Sequence, residues 1–437
     1  MKFISTRNNT EEVAFSQAIR ECLPNDGGLY VPADTEDLSP WIRYMNKDSK
    51  FVSIAGALTQ ALLKEEFSPI ISEAIVNNAF PFSPKLEKLD DNLFVLELFH
   101  GPTGTHKDFG LAFLTSYLEH VNIMQEKKSV ILSSTDGETG AAIANAIRGK
   151  KNLKTVLLFE KGSMRGFSDS DCVWNGGNIY PVEINGTKKV CDQLTRDIYS
   201  NHELVKQHGL TLANTANVGR LLPHTFIYMY AFSRLKNTVV DNIYYAMQAG
   251  NYGNITAGLY AWKFSLPLTG LITNCTTSLT QDAVGKCAML DSLVPLTERS
   301  VADSAEPSNI ERLKELFATS PAVMKALLFP QIVSDDEARE AGQELFMKYG
   351  KLYDIETARS YTAAKKKGVL SSDDGSAVVL VAYTHPSLPS SRVKMCCGEA
   401  PAMSEQLKKV HSPITPKKTI DASIENITAI LKELHSF

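Results

Sequence analysis

The chain has 437 residues, 43% of them apolar, and a formal charge of -4 from 45 basic and 49 acidic side chains. That length exceeds what one hydrophobic core usually organises, so two or three domains are expected. Because the two signs of charge are spread along the chain, no basic face is offered to nucleic acid or to an anionic membrane, and a small-molecule partner is expected instead. The start, Met1 to Asn9, turns polar at once and carries neither a signal-type apolar run nor a membrane span. Seven cysteines, an odd number without metal-ligand spacing, read as reduced thiols of a cytoplasmic protein.

In chain order, residues 1–92 read as a helical N-terminal domain, with Val13, Phe15, Ala18 and Ile19 at helical spacing and a turn at Pro24-Asn25-Asp26-Gly27-Gly28. From Phe94-Val95-Leu96-Glu97-Leu98 onward, short apolar runs alternate with longer helix-period stretches. Examples are Val130-Ile131-Leu132, Thr155 to Phe159, Tyr244 to Met247 and Val378 to Val381. Strands separated by helices predict an α/β fold with parallel-type sheets, divided into residues 93–235 and 236–437. The tail after Pro401 is polar and ends in an amphipathic helix near Ile424 to Leu434.

Three segments follow strands and open helices, the place where open α/β sheets bind ligands. In the first, His100-Gly101-Pro102-Thr103-Gly104-Thr105-His106-Lys107-Asp108-Phe109-Gly110, a Gly/Pro/Thr-rich loop delivers Lys107 to a helix start. The positive end of a helix disfavours a cation and pushes an amine toward its neutral, nucleophilic form; a solvated surface lysine is the plain alternative. The second contains Gly250-Asn251-Tyr252-Gly253-Asn254 between a strand and a helix, the outline of an anion cradle. An ordinary strand-to-helix turn would share that outline. The third, Ser133-Ser134-Thr135-Asp136-Gly137-Glu138-Thr139-Gly140, offers hydroxyls and N–H groups to a carboxylate, or else simple helix capping.

Together these segments resemble the threonine synthase family, a branch of the fold type II pyridoxal-5′-phosphate (PLP) enzymes related to the tryptophan synthase β subunit. Further stretches similar to that family are Glu12 to Ala18, Gly27 to Pro32, Gly219-Arg220-Leu221-Leu222-Pro223, Pro307 to Arg312 and His385-Pro386. The resemblance implies PLP held as a Schiff base by Lys107, which would also move protons on an amino-acid substrate. It implies a cofactor phosphate on Gly250, Asn251, Tyr252, Gly253 and Asn254, and Glu138 near the cofactor ring oxygen. Thr135, Asp136 and Thr139 would lie by the substrate carboxylate. Ser163, Arg165, Asn214, Asn217 and Arg220 would lie by the phosphate of O-phospho-L-homoserine, which would give threonine. PLP would supply the electron sink.

The chain departs from the family pattern at several of these positions. Gly104-Thr105-His106 replaces a small apolar run ending in Phe, and Asp136 stands where the family has serine. Either Tyr383 or Thr384 would meet the pyridine nitrogen, and Asp354-Ile355-Glu356-Thr357-Ala358 lacks the family's Pro and His. Two alternatives to the parent activity are a related phospho-lyase or ammonia-lyase giving 2-oxobutyrate, and a PLP-binding protein without turnover. Asp136 is expected to cap the following helix rather than face the ligand.

Overall fold

The computed structural model describes residues 1–239, 242–290, 309–318, 320–371 and 375–434, so Pro307 and Ser308 fall outside the described residues. Two sheets dominate it. One is five-stranded and parallel, in the order Thr419–Ile420, Ile179–Ile184, Leu153–Glu160, Ser129–Thr135, Leu210–Thr211. The other has six strands, in the order Leu328–Gln331, Gly270–Asn274, Ile243–Ala246, Ala377–Ala382, Leu93–Glu97, Lys85–Lys88, and only the last pairing is antiparallel. Their central strands are apolar without alternation because helices cover both faces; Ala377–Ala382 is buried along its whole length. At the antiparallel edge, Lys85 and Lys88 point into solvent, which discourages pairing with another chain.

Neither large sheet is contiguous in sequence. Strand Leu93–Glu97 joins the sheet otherwise made by residues after 242, while strand Thr419–Ile420 and helix Ile424–Leu434 return to the five-stranded sheet. Short strands carry little periodicity, which is why that return is invisible in the polar tail. The same reason applies at the N-terminus, where a three-stranded antiparallel sheet of Lys2–Ser5, Val13–Ala14 and Tyr30–Pro32 adds to the expected helices. Val13 thus pairs with Phe3, and helical spacing is real only from Phe15 through Glu21.

The N-terminal helices Phe51–Leu63 and Pro69–Ala79 pack on the helix that begins at Lys107. Phe51 meets Phe109 edge-on at 5.5 Å and Phe80 stacks on Phe113 at 6.3 Å, contacts that add specific geometry to the area they bury. Among the described residues no helix is long and apolar enough to cross a membrane.

Arg312, fully buried, clasps three parts of the chain. Its guanidinium donates to the carbonyls of Tyr30, Thr215 and Ala216 and to Asn309 Oδ1 at 2.6 to 3.0 Å. Arg312→Met leaves these acceptors without a donor, and chemical denaturation is expected to show a loss of about 3 kcal/mol or more.

Candidate active site

The lysine loop is shaped by close approach. Gly101 has no room for a side chain, since a Cβ there would sit 2.5 Å from Asp108 Oδ2. Asp108 accepts hydrogen bonds from Thr103 N (2.9 Å) and Thr103 Oγ1 (2.7 Å), which folds the loop back onto the helix start. The loop is then fastened to the far segment. His106 N donates to Tyr383 O at 2.7 Å, His385 N donates to Gly104 O at 2.8 Å, and Thr105 bridges Thr384. Lys107 is the first residue of helix Lys107–Met124, and its Nζ lies 3.4 Å from Glu138 Oε2.

A cavity of about 260 Å³ opens at this point, at the carboxyl ends of both large sheets. Among the expected residues, Lys107, Thr139, Asn214, Arg220 and Tyr383 line it, together with the turn Gly250, Asn251, Gly253 and Asn254. His224 and Thr215 line it too, though no sequence signal marked them. His106, set apart in the sequence only as a departure, is a third. Among the described residues, His106 Nδ1, His224 Nε2, Arg220 Nε and the Tyr383 hydroxyl are buried polar atoms without a partner. Four such atoms around one cavity call for a polar occupant.

All but one of these four groups are neutral. Burial, reinforced by His224, Arg220 and Lys107, pushes the His106 imidazole well below its usual range. Burial and Arg220 push His224 down to about 3, against the hydrogen bond to Asn254. Burial pushes the Tyr383 phenol up, so it stays protonated. Arg220, lowered by burial to about 10 with Asp108 opposing, remains a cation.

The turn after strand Ile243–Ala246 has the backbone of an anion cradle. Gly250 and Tyr252 take φ of 50° and 63°, and helix Gly253–Lys263 follows with its first N–H groups lacking intrahelical acceptors. Asn251 Nδ2 donates to Thr215 Oγ1 at 2.9 Å, and Asn309 Nδ2 donates to the same oxygen at 2.9 Å, so the Arg312 clasp reaches this turn. Only the backbone of Tyr252 belongs to the cradle; its ring is fully buried and its hydroxyl meets Thr276. Asn254 Oδ1 is 2.5 Å from His224 Nδ1.

Several expected ligand contacts are used by the fold instead. Thr135 Oγ1 accepts from Gly137 N (3.0 Å) and Gly140 N (2.6 Å), closing the turn. Asn217 is buried and donates to Ile19 O, Thr211 Oγ1 and Leu212 O while its Oδ1 caps Gly219 N. The Ser163 hydroxyl donates to Glu160 O, and Thr384 sits in the bridge to Thr105 outside the cavity lining. Asp354 caps its helix through Glu356 N and Thr357 N.

Asp136 does accept from Thr139 N, at 3.3 Å. Burial works to raise its pKa, but the charge of Lys107, with the Thr139 N–H and Lys188, outweighs this and holds the carboxyl below its usual range. Arg165 lies against Gly137, where a Cβ would be 2.6 Å from its Nε and where φ is 99°. Among the described residues its guanidinium has one hydrogen-bond partner, Ser163 O, which Nε meets at 3.3 Å.

Residues 71–383 match the pyridoxal-phosphate dependent enzyme family, and residues 2–80 match the threonine synthase N terminus. Threonine synthase from Haemophilus influenzae is 30% identical over 94% of this chain and 91% of its own length. The chain belongs to the threonine synthase family of PLP-dependent enzymes. Threonine synthase from Escherichia coli is 28% identical over 93% of this chain and 94% of its own. Its crystal structure superposes with a TM-score of 0.80 at 26% identity, covering 99% of this chain and all of that one. The PLP-bound threonine synthase from Brucella melitensis shares the fold, with a TM-score of 0.82 at 23% identity over 99% of both chains.

The neutral histidines make stability depend on pH. His224 has a folded pKa below its unfolded one, so the unfolded chain takes the proton first. The stability this residue contributes is complete above pH 6.5 and is lost as pH falls toward 3. Between pH 6.5 and 4.5 the unfolding free energy of the native sequence should therefore fall by about 2–3 kcal/mol more than that of His224→Gln in urea titrations.

Proposed function

We propose that the chain converts O-phospho-L-homoserine and water to L-threonine and phosphate, with PLP attached to Lys107. The observation that carries this reading is one cavity uniting a lysine amine, a helix-start anion cradle and an orphaned buried hydroxyl. That donor set fits PLP: an amine for its aldehyde carbon, N–H groups for its phosphate, and Tyr383 for its ring nitrogen.

When bound, the cofactor supplies an electron sink for carbanion chemistry. The Lys107 amine would hold the cofactor and, once released, would take and return protons at the substrate's carbons. Glu138, 3.4 Å from Lys107 Nζ, keeps that amine oriented and would stand near the ring oxygen of a bound cofactor. Gly250 to Asn254 hold the cofactor phosphate, fixed by the Thr215, Asn309 and Arg312 network. Tyr383, which lines the cavity, rather than Thr384, which pairs with Thr105, would hold the pyridine nitrogen. Its phenol is neutral and so are its neighbours His106 and His224, so the hydrogen bond brings no added charge.

At the substrate end, the Thr139 side chain orients the α-carboxylate, while Asn214 borders the same space. The terminal nitrogens of Arg165 bind the substrate phosphate, which leaves before water adds at Cβ, and Arg220 adds a second cation in the cavity lining. Asp136, turned back onto Thr139 N, balances Lys107 rather than repelling the carboxylate.

Purified protein loaded with PLP should release threonine and phosphate in equal amounts from O-phospho-L-homoserine; 2-oxobutyrate as the main product would refute the reading. Arg165→Ala should raise KM for this substrate by roughly one to two decades, the loss of about 1.5–3 kcal/mol of charge-assisted contact. Side reactions of unphosphorylated serine should be nearly unaffected.

A further inference from the structure

We propose that a second cavity, on the outer face of the five-stranded sheet, is a regulatory site for a small flat aromatic carboxylate. It measures about 460 Å³ against about 260 Å³ for the active-site cavity, large enough for a ligand of that kind. Its walls come from the loop after strand Leu153–Glu160, from strand Ile179–Ile184, and from the tail and helix Ile424–Leu434. Phe167, Trp174, Tyr180, Ile414 and Ile420 are only half-buried there, leaving aromatic and aliphatic surface turned toward an open space. Trp174 and Tyr180 stand edge to face, 5.7 Å apart at 87°, a shape that receives a flat ring.

Charge at the rim selects the ligand's polar end. Lys417 lies 4.7 Å over the Trp174 ring and pairs with Asp169 at 2.7 Å, so those two charges cancel. Glu433, a second carboxylate of the lining, accepts from the Tyr180 hydroxyl at 2.9 Å, so its charge is held at the aromatic wall. Lys418 lines the same cavity and has no partner among the described residues, which leaves one uncommitted cation beside an apolar, ring-lined space.

The cavity is wired to the active site by backbone. Met164 and Phe167 in its wall flank Arg165, the residue assigned to the substrate phosphate. Ile414 N donates to Met164 O at 2.9 Å, and Arg165 itself forms a bridge with Pro413. A ligand seated between Phe167 and Ile414 braces this pairing and holds Arg165 at Gly137, so it lowers the ordering cost of substrate binding. This coupling rests on the phosphorylated-substrate reading; the binding site does not.

The test uses PLP-loaded enzyme and indole-3-propionate as probe, followed by calorimetry. The native sequence should bind the probe. Ala429→Phe, at an exposed position of the lining, should abolish binding by filling the space, and Lys418→Gln should weaken it three- to tenfold. Saturating probe should lower KM for O-phospho-L-homoserine at least twofold in the native sequence and leave it unchanged in Ala429→Phe. Absence of binding, or binding undiminished in both variants, overturns the site. Binding that needs Lys418 and leaves KM unchanged or raised overturns the regulation. Calorimetry needs no turnover, so a failure of the substrate reading leaves the binding result standing.

Discussion

The arrangement depends on one short backbone pairing. His106 N to Tyr383 O, Gly104 O to His385 N and the Thr105–Thr384 bridge join two segments that lie some 280 residues apart in the chain. Through them the start of the lysine helix is set against the end of strand Ala377–Ala382, and hence against the anion cradle on the neighbouring strand Ile243–Ala246. Side chains could not hold this spacing alone, because a flexible lysine carries many rotamers; the backbone bonds fix its Cα, and the cavity limits the rest. The aromatic packing of Phe51, Phe80 and Phe82 on Phe109 supports the same helix from the other side.

Around the amine, burial decides the electrostatics. Low local dielectric penalises each charge, so His106, His224 and Tyr383 remain neutral, while Arg220 keeps its charge near Asp108. Lys107, Glu138, Asp136 and Arg165 gather instead around the start of helix Glu138–Ile147. The buried end of the cavity thus holds neutral groups around the Arg220 cation, and paired charges stand at the start of helix Glu138–Ile147. Asp136, which on a residue-by-residue comparison would stand beside the substrate carboxylate, is reconciled with the parent chemistry by its bond to Thr139 N and the cation beside it.

Much of this was legible in the sequence where local pattern and chemistry coincide. The apolar runs became buried parallel strands, and the lysine loop and glycine turn both fell at strand ends, because both depend on residues close in sequence. Most of what the sequence does not display is non-local. His224 gives no local signal, since only its hydrogen bond to Asn254, thirty residues away, brings it into the cavity. Nothing near Asn217 reveals that its amide is taken by Ile19 O, whereas the local capping that the Thr135 segment offers is what its hydroxyl does at Gly137 N and Gly140 N. Tyr383 and Thr384 were indistinguishable as neighbours until strand pleating turned one toward the cavity and paired the other with Thr105.

The central claim is that Lys107 carries the cofactor. Borohydride reduction of the PLP-loaded protein, followed by proteolysis and peptide mapping, should place one phosphopyridoxyl label on Lys107, and Lys107→Ala should lack both the label and the cofactor's visible absorption band. A label on another lysine, or an undiminished band in Lys107→Ala, would contradict the account.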